Sequence, residues 1–125
     1  MISFEAFVMV EGVPIYQQVV LYVKRGLVAG TIQDGDELPS RRALSALLGM
    51  NPNTVQKACR MLEDEGLIQS HTGAKSCISA DAGTVSRLRS ELLREDVKGL
   101  VSALRQSGVS KQEALDLIAA MWEET

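Results

Sequence analysis

The sequence predicts a mainly α fold with a small β wing: a winged helix-turn-helix domain followed by a C-terminal two-helix hairpin. Three observations point to it. Within 38–66, LPSRRALSALLGMNPNTVQKACRMLEDEG, two short amphipathic runs flank the tight turn Gly49-Met50-Asn51. Directly afterwards Leu67-Ile68-Gln69-Ser70 and Ser76-Cys77-Ile78-Ser79 enclose a polar turn around Gly73, a hairpin in the position of a wing. From Thr84 onward, two leucine-rich stripes at helical spacing are divided at Gly108.

Length and charge set the bounds. A chain of 125 residues holds one or two small units, expected at 1–80 and 81–125, and leaves no room for a large catalytic domain. The net charge of −3 argues against indiscriminate nucleic-acid binding, so any DNA surface must be local. One such surface exists, because no acidic residue lies between Glu37 and Glu63, a stretch that contains Arg41, Arg42, Lys57 and Arg60. Cys59 and Cys77 match neither a zinc pattern nor a disulfide framework and read as small core residues. No N-terminal signal pattern and no membrane-spanning apolar run is present, so the expectation is a soluble, cytoplasmic protein without a membrane partner.

Taken in order, residues 1–12 are apolar and rich in strand formers, predicting a short strand that pairs either beside the wing or on a partner subunit. Pro14 opens a helix in which Ile15, Val19, Tyr22, Val23 and Leu27 recur up to Gly30, the scaffold for the motif. Tyr16 and Tyr22 on this helix read as packing residues. The acidic, turn-rich link 30–39 reverses the chain. Ser40 then caps the first motif helix, which runs to Leu48 with Leu44, Leu47 and Leu48 on one side. Asn51 followed by Pro52 is an N-cap with proline at the first helical position, and the second helix runs from there to Gly66. At about 100° per residue, Val55, Ala58, Cys59 and Leu62 fall inward, while Asn53, Gln56, Lys57, Arg60 and Asp64 fall outward. His71, the sole histidine, lies on the wing and reads as exposed and uninvolved.

Thr84 is the expected cap of a long helix carrying Leu88, Leu92, Val97, Leu100 and Leu104, some 30 Å long at about 1.5 Å per residue. Gly99 lowers its helix propensity and leaves room for a bend or a close crossing. Ser110-Lys111-Gln112-Glu113 is a capping-box pattern opening a last helix with Leu115, Ile118 and Trp122 on its stripe. Two helices alone make a thin core, so Leu88, Leu92, Val97, Leu100, Leu104, Leu115, Ile118 and Trp122 are the expected homodimerisation residues.

The ordered set Leu38-Pro39-Ser40-x-Arg42-x-Leu44, Leu48-Gly49, Asn53-Thr54-Val55-x-x-Ala58 and Leu62-Glu63-x-Glu65-Gly66-Leu67-Ile68 resembles the DNA-binding domain of GntR-family transcriptional regulators of bacteria. The run Asn51-Pro52-Asn53-Thr54-Val55-Gln56, with a short C-terminal tail, resembles the short YtrA-type subgroup. The resemblance implies that Ser40 and Arg42 lie where the family contacts DNA, and it suggests control of neighbouring transporter genes. Arg41 adds a nearby charge. Asn51, Asn53, Thr54 and Gln56 carry the amide and hydroxyl groups suited to base edges or phosphates, while Lys57 and Arg60 suit phosphates. Gly73 and Lys75 form the expected wing tip. Two departures stand out. Many relatives have arginine where this chain has Pro52, and Lys75 occupies the place of a second wing glycine.

The function expected is a sequence-specific DNA-binding transcriptional regulator of repressor type, a homodimer on an inverted-repeat operator of double-stranded DNA. The rival is a winged-helix protein–protein interaction module, which predicts no salt-sensitive DNA binding. An enzyme would need a convergent nucleophile, base or metal set, and the sequence offers none. No cofactor and no metal is expected. A small-molecule effector is unknown; a signal would act at the hairpin or at the junction near Ala80 to Gly83, moving the two recognition helices apart or together.

Overall fold

The computed structural model describes residues 1–71 and 75–125. The chain forms two compact units, Met1–Arg89 and Ser90–Thr125. Its elements are α1 (Ile15–Ala29), β1 (Glu37–Leu38), α2 (Arg41–Leu48), α3 (Pro52–Asp64), β2 (Ile68–Ser70), β3 (Ser76–Ile78), α4 (Ala82–Gln106) and α5 (Lys111–Glu124). The mainly helical fold with a β wing is therefore present. Among the described residues, no helix is long and apolar enough to cross a membrane.

In the first unit, α3 packs on both α1 and α2. The amphipathic pattern explains why. Val23 and Leu27 of α1, Leu44 and Leu48 of α2, and Val55, Ala58 and Leu62 of α3 are all buried, and they meet Leu38, Leu67 and Ile78 from the sheet side. The wing hairpin is closed by a third strand, because the sheet has the order β1-β3-β2 with both pairings antiparallel. The acidic link thus does more than reverse the chain. Glu37 and Leu38 pair with Cys77 and Ser76, and the Asp34 carboxylate accepts from the Ala80 N–H at 2.9 Å.

The expected N-terminal strand is absent. The Ile2 N–H donates to the Glu37 carbonyl (2.8 Å), after which the segment leaves the sheet and lies against its own α1. Phe4 stacks on Tyr22 with centroids 5.1 Å apart, and Phe7 meets the same ring edge-on at 5.4 Å. The Gln18 amide accepts from Val10 N and donates to the carbonyls of Val10 and Val13, supplying partners that a neighbouring strand would have offered. The contacts are within one chain, by a route that neither proposed pairing described.

The long helix begins earlier than expected. Asp81, not Thr84, is its cap: Asp81 Oδ1 accepts from the Thr84 N–H at 2.8 Å, so Ala82 and Gly83 are helical. Leu88 is only 4% exposed and belongs to the core of the first unit, which corrects its assignment to a pairing stripe. The division between the compact units lies at 89/90, inside α4.

In the second unit, α4 ends at Gln106, Gly108 turns the chain and the Ser110 hydroxyl caps α5 by accepting from Glu113 N at 3.2 Å. Leu100 is 45% exposed, Ile118 36% and Trp122 76%, and an apolar cavity of about 670 Å³ lies open between the helices.

Candidate nucleic-acid interface

The helix-turn-helix is fixed by short-range bonds that its sequence specifies. Ser40 Oγ accepts from the Ala43 N–H at 3.1 Å, capping α2. Gly49 ends that helix at φ +61°, a left-handed conformation that costs a residue with a Cβ more than it costs glycine. The next cap follows at once, with Asn51 Oδ1 accepting from the Asn53 N–H at 2.8 Å and Pro52 at the first helical position. Ser45 and Met50 close the turn between the helices, the Ser45 hydroxyl donating to the Met50 carbonyl at 2.5 Å.

With the caps set, the two sides of α3 separate by exposure. Val55, Ala58, Cys59 and Leu62 are buried, whereas Asn53, Gln56, Lys57 and Arg60 are exposed and Thr54 is half-buried. Asn53, Gln56 and Arg60 recur three and four residues apart and so form a single outward row. Beside the N-terminus of α3, a shallow groove of about 430 Å³ is lined by Arg41, Arg42, Ser45, Ala46 and Pro52. Arg42 is exposed at its edge. With Arg42 at its rim, such a concave strip next to a projecting helix can accept a phosphate backbone while the helix enters a groove.

Not every expected residue is free to do so. Ser40 and Asn51 spend one side-chain oxygen each on capping. Arg41 is turned inward, its Nη2 lying 3.2 Å from Glu63 Oε1, with its Nε buried and lacking a hydrogen-bond partner. Lys57 leans towards α1, its Nζ 4.0 Å from the centroid of the Tyr16 ring. The Tyr16 hydroxyl is held below the usual tyrosine range, mainly because it accepts from the Gln17 amide, with Lys57 adding its positive charge. Lys75 is exposed at the foot of β3, where its carbonyl accepts from the His71 N–H at 2.9 Å. Gly73, the other expected wing-tip residue, lies outside the described residues.

Cys59 sits behind this surface, and burial pushes its thiol up despite the neighbouring Arg41, so at neutral pH it is an uncharged core residue. Glu63 and Tyr16 were missed as participants. Each acts on a residue far away in sequence, Arg41 and Lys57 respectively, and neither spacing is a helical one. A further cross-link, Lys24 Nζ to Glu65 Oε1 at 2.7 Å, fastens α1 to the chain just beyond α3.

Comparison with known proteins agrees with this geometry. The sequence profile for bacterial regulatory proteins of the gntR family matches residues 15–76. The chain is 35% identical over 101 residues to the HTH-type transcriptional repressor YtrA of Bacillus subtilis (strain 168), covering 80% of this chain and 78% of that protein. It is 32% identical over 110 residues to the HTH-type transcriptional regulator YhcF of the same strain, covering 88% and 91%. A GntR family transcriptional regulator from Listeria monocytogenes superposes with a TM-score of 0.80 at 27% identity, over 90% of this chain and 98% of that one. The likeness thus extends beyond the winged helix, and the chain belongs to the gntR family of bacterial transcriptional regulators.

Proposed function

We propose that this chain is a sequence-specific, homodimeric transcriptional regulator of repressor type that binds an inverted-repeat operator in double-stranded DNA. The observation that carries the reading is the outward row of α3: Asn53, Gln56 and Arg60 stand exposed on a helix whose opposite side is wholly buried, in a segment without acidic residues. Asn53, Thr54 and Gln56 meet base edges. Arg42 and Arg60 meet phosphates, and Lys57 joins them by swinging off the Tyr16 ring, with Ser40 and Asn51 shaping the two helix tips, and Gly73 and Lys75 carry the wing contact. Arg41 serves this surface through Glu63 rather than through DNA. The repressor reading draws on the likeness to YtrA, which bears that name. A protein acting on the chromosome works in the bacterial cytoplasm.

Dimerisation is supported by the apolar surface left open between α4 and α5, which one chain by itself exposes to water. A single recognition helix reads only a few base pairs, whereas a two-fold pair reads half-sites about 34 Å apart. The test is fluorescence anisotropy on duplexes tiling the DNA upstream of the gene, over a range of salt, with a shuffled duplex as control. One duplex should bind at least about 10³-fold more tightly than the control. Arg42→Ala should weaken binding to every duplex and lower the log–log salt slope by about one. Equal, weak binding to all duplexes would instead favour an interaction module.

A further inference from the structure

A carboxylate at the far end of the recognition helix joins the three parts of the winged helix that have to approach DNA together. Glu63 Oε1 accepts from Arg41 Nη2 of α2 at 3.2 Å and also from the hydroxyl of Ser70, the last residue of β2. One oxygen of α3 therefore holds α2 on one side and the wing strand on the other. Just beyond Ser70 the His71 N–H donates to the Lys75 carbonyl at 2.9 Å, tying the two strands together. The direction in which β2 leaves α3 thus sets where Lys75 stands.

We propose that Glu63 is a positioning residue for DNA binding: through Ser70 it fixes the wing relative to the recognition helix, and it holds Arg41 away from phosphate. The role rests on the DNA-binding reading above and adds a residue that contacts no DNA. Two features favour it over a plain stabilising ion pair. The side chains of Arg41 and Glu63 are 30% and 35% exposed, and a pair so accessible to water adds little to stability. In addition, Arg41 is drawn in far enough to bury its Nε and to neighbour the Cys59 thiol, so its head is directed away from the surface while Glu63 holds it. What the pair fixes is geometry.

The experiment is a double-mutant cycle on the full chain, with dimer mass and melting temperature measured to verify folding. Ser70→Ala releases the wing from Glu63 and leaves every charge in place. It should weaken binding to the specific duplex by about threefold to thirtyfold and lower the salt slope by about one, the loss of the Lys75 contact. In a Lys75→Ala background the same Ser70→Ala change should alter affinity by less than about twofold, because the contact it positions is already gone. Arg41→Gln should leave the salt slope as it was. Unchanged affinity in Ser70→Ala, an equal loss in the Lys75→Ala background, or a slope lowered by Arg41→Gln would each overturn the role. If the unaltered chain bound no duplex better than the shuffled control, the DNA-binding reading itself would fall, and this role with it.

Discussion

Gly26 shows what a single position can carry. It lies inside α1, where alanine would normally be favoured by about 1 kcal/mol. A Cβ there would come within 2.4 Å of Ile32 Cδ1 and 2.7 Å of its Cγ1, and Ile32 is buried, with its N–H donating to the Gly26 carbonyl at 3.0 Å. Overpacking of this kind costs about 1–3 kcal/mol, so the clash outweighs the propensity gain. Gly26→Ala is therefore expected to lower the thermal midpoint by a few degrees, and adding Ile32→Val, which removes the nearest atom, to restore part of it; calorimetry of the three proteins decides. Nothing in the sequence marks Gly26, since its neighbour comes from a loop beyond the end of the helix. The same holds for Arg41. Beside Arg42 it reads as one more DNA-facing charge, and only the fold brings Glu63 to it from 22 residues away. By contrast Ser40 and Asn51 were legible as caps because a cap bonds to a backbone N–H two or three residues on, a distance the chain itself fixes.

At the scale of elements, the helices were legible and their ends less so. Buried faces follow the 3.6-residue period, and that period is written in the apolar residues of α1, α2 and α3. β1 has only two residues, too few to alternate, and exists because β3 offers it an edge. The start of α4 was misplaced because Thr84 is itself a capping residue type, yet Asp81 supplies the cap and the helix runs through Gly83. That cap titrates. The Asp81 carboxyl is held below the usual range, chiefly by the Thr84 N–H it accepts, so its contribution is whole above about pH 4 and is lost as pH falls through its lowered native value. Amide exchange at Thr84 should accordingly speed up towards acid pH beyond its intrinsic dependence, and Asp81→Asn, which caps without titrating, should remove the excess. Further along α4, Gly99 has open space where its Cβ would be, about 100° and 140° around the helix from Leu100 and Leu104. Gly99→Ala should therefore raise helix stability by about 1 kcal/mol, measured by thermal unfolding.

The whole molecule poses a question that one chain answers incompletely. The first unit has a closed core built from α1, α2, α3 and the sheet, but the second has an open apolar cavity and a stripe of half-exposed leucines. Leu92 and Leu104 are half-buried, whereas Val97, Leu100, Leu115, Ile118 and Trp122 present their surfaces to water. Burying apolar area is worth about 25 cal/mol per Å², and several large side chains per chain are available to a second copy. The sequence contains one tryptophan, Trp122, and it lines that cavity. Its emission is consequently a reporter confined to the proposed interface. On dilution of the purified protein, the emission should move to longer wavelength in step with a fall in mass, from twice the 13.6 kDa of the chain to the mass of the chain itself. Ile118→Asp should show the red-shifted spectrum at every concentration, retain the helical signal of a folded winged helix, and bind the operator with the salt slope of a single half-site. A blue-shifted spectrum in a monomer would mean that α4 and α5 close on each other in solution, and that the second unit serves its own chain rather than a partner.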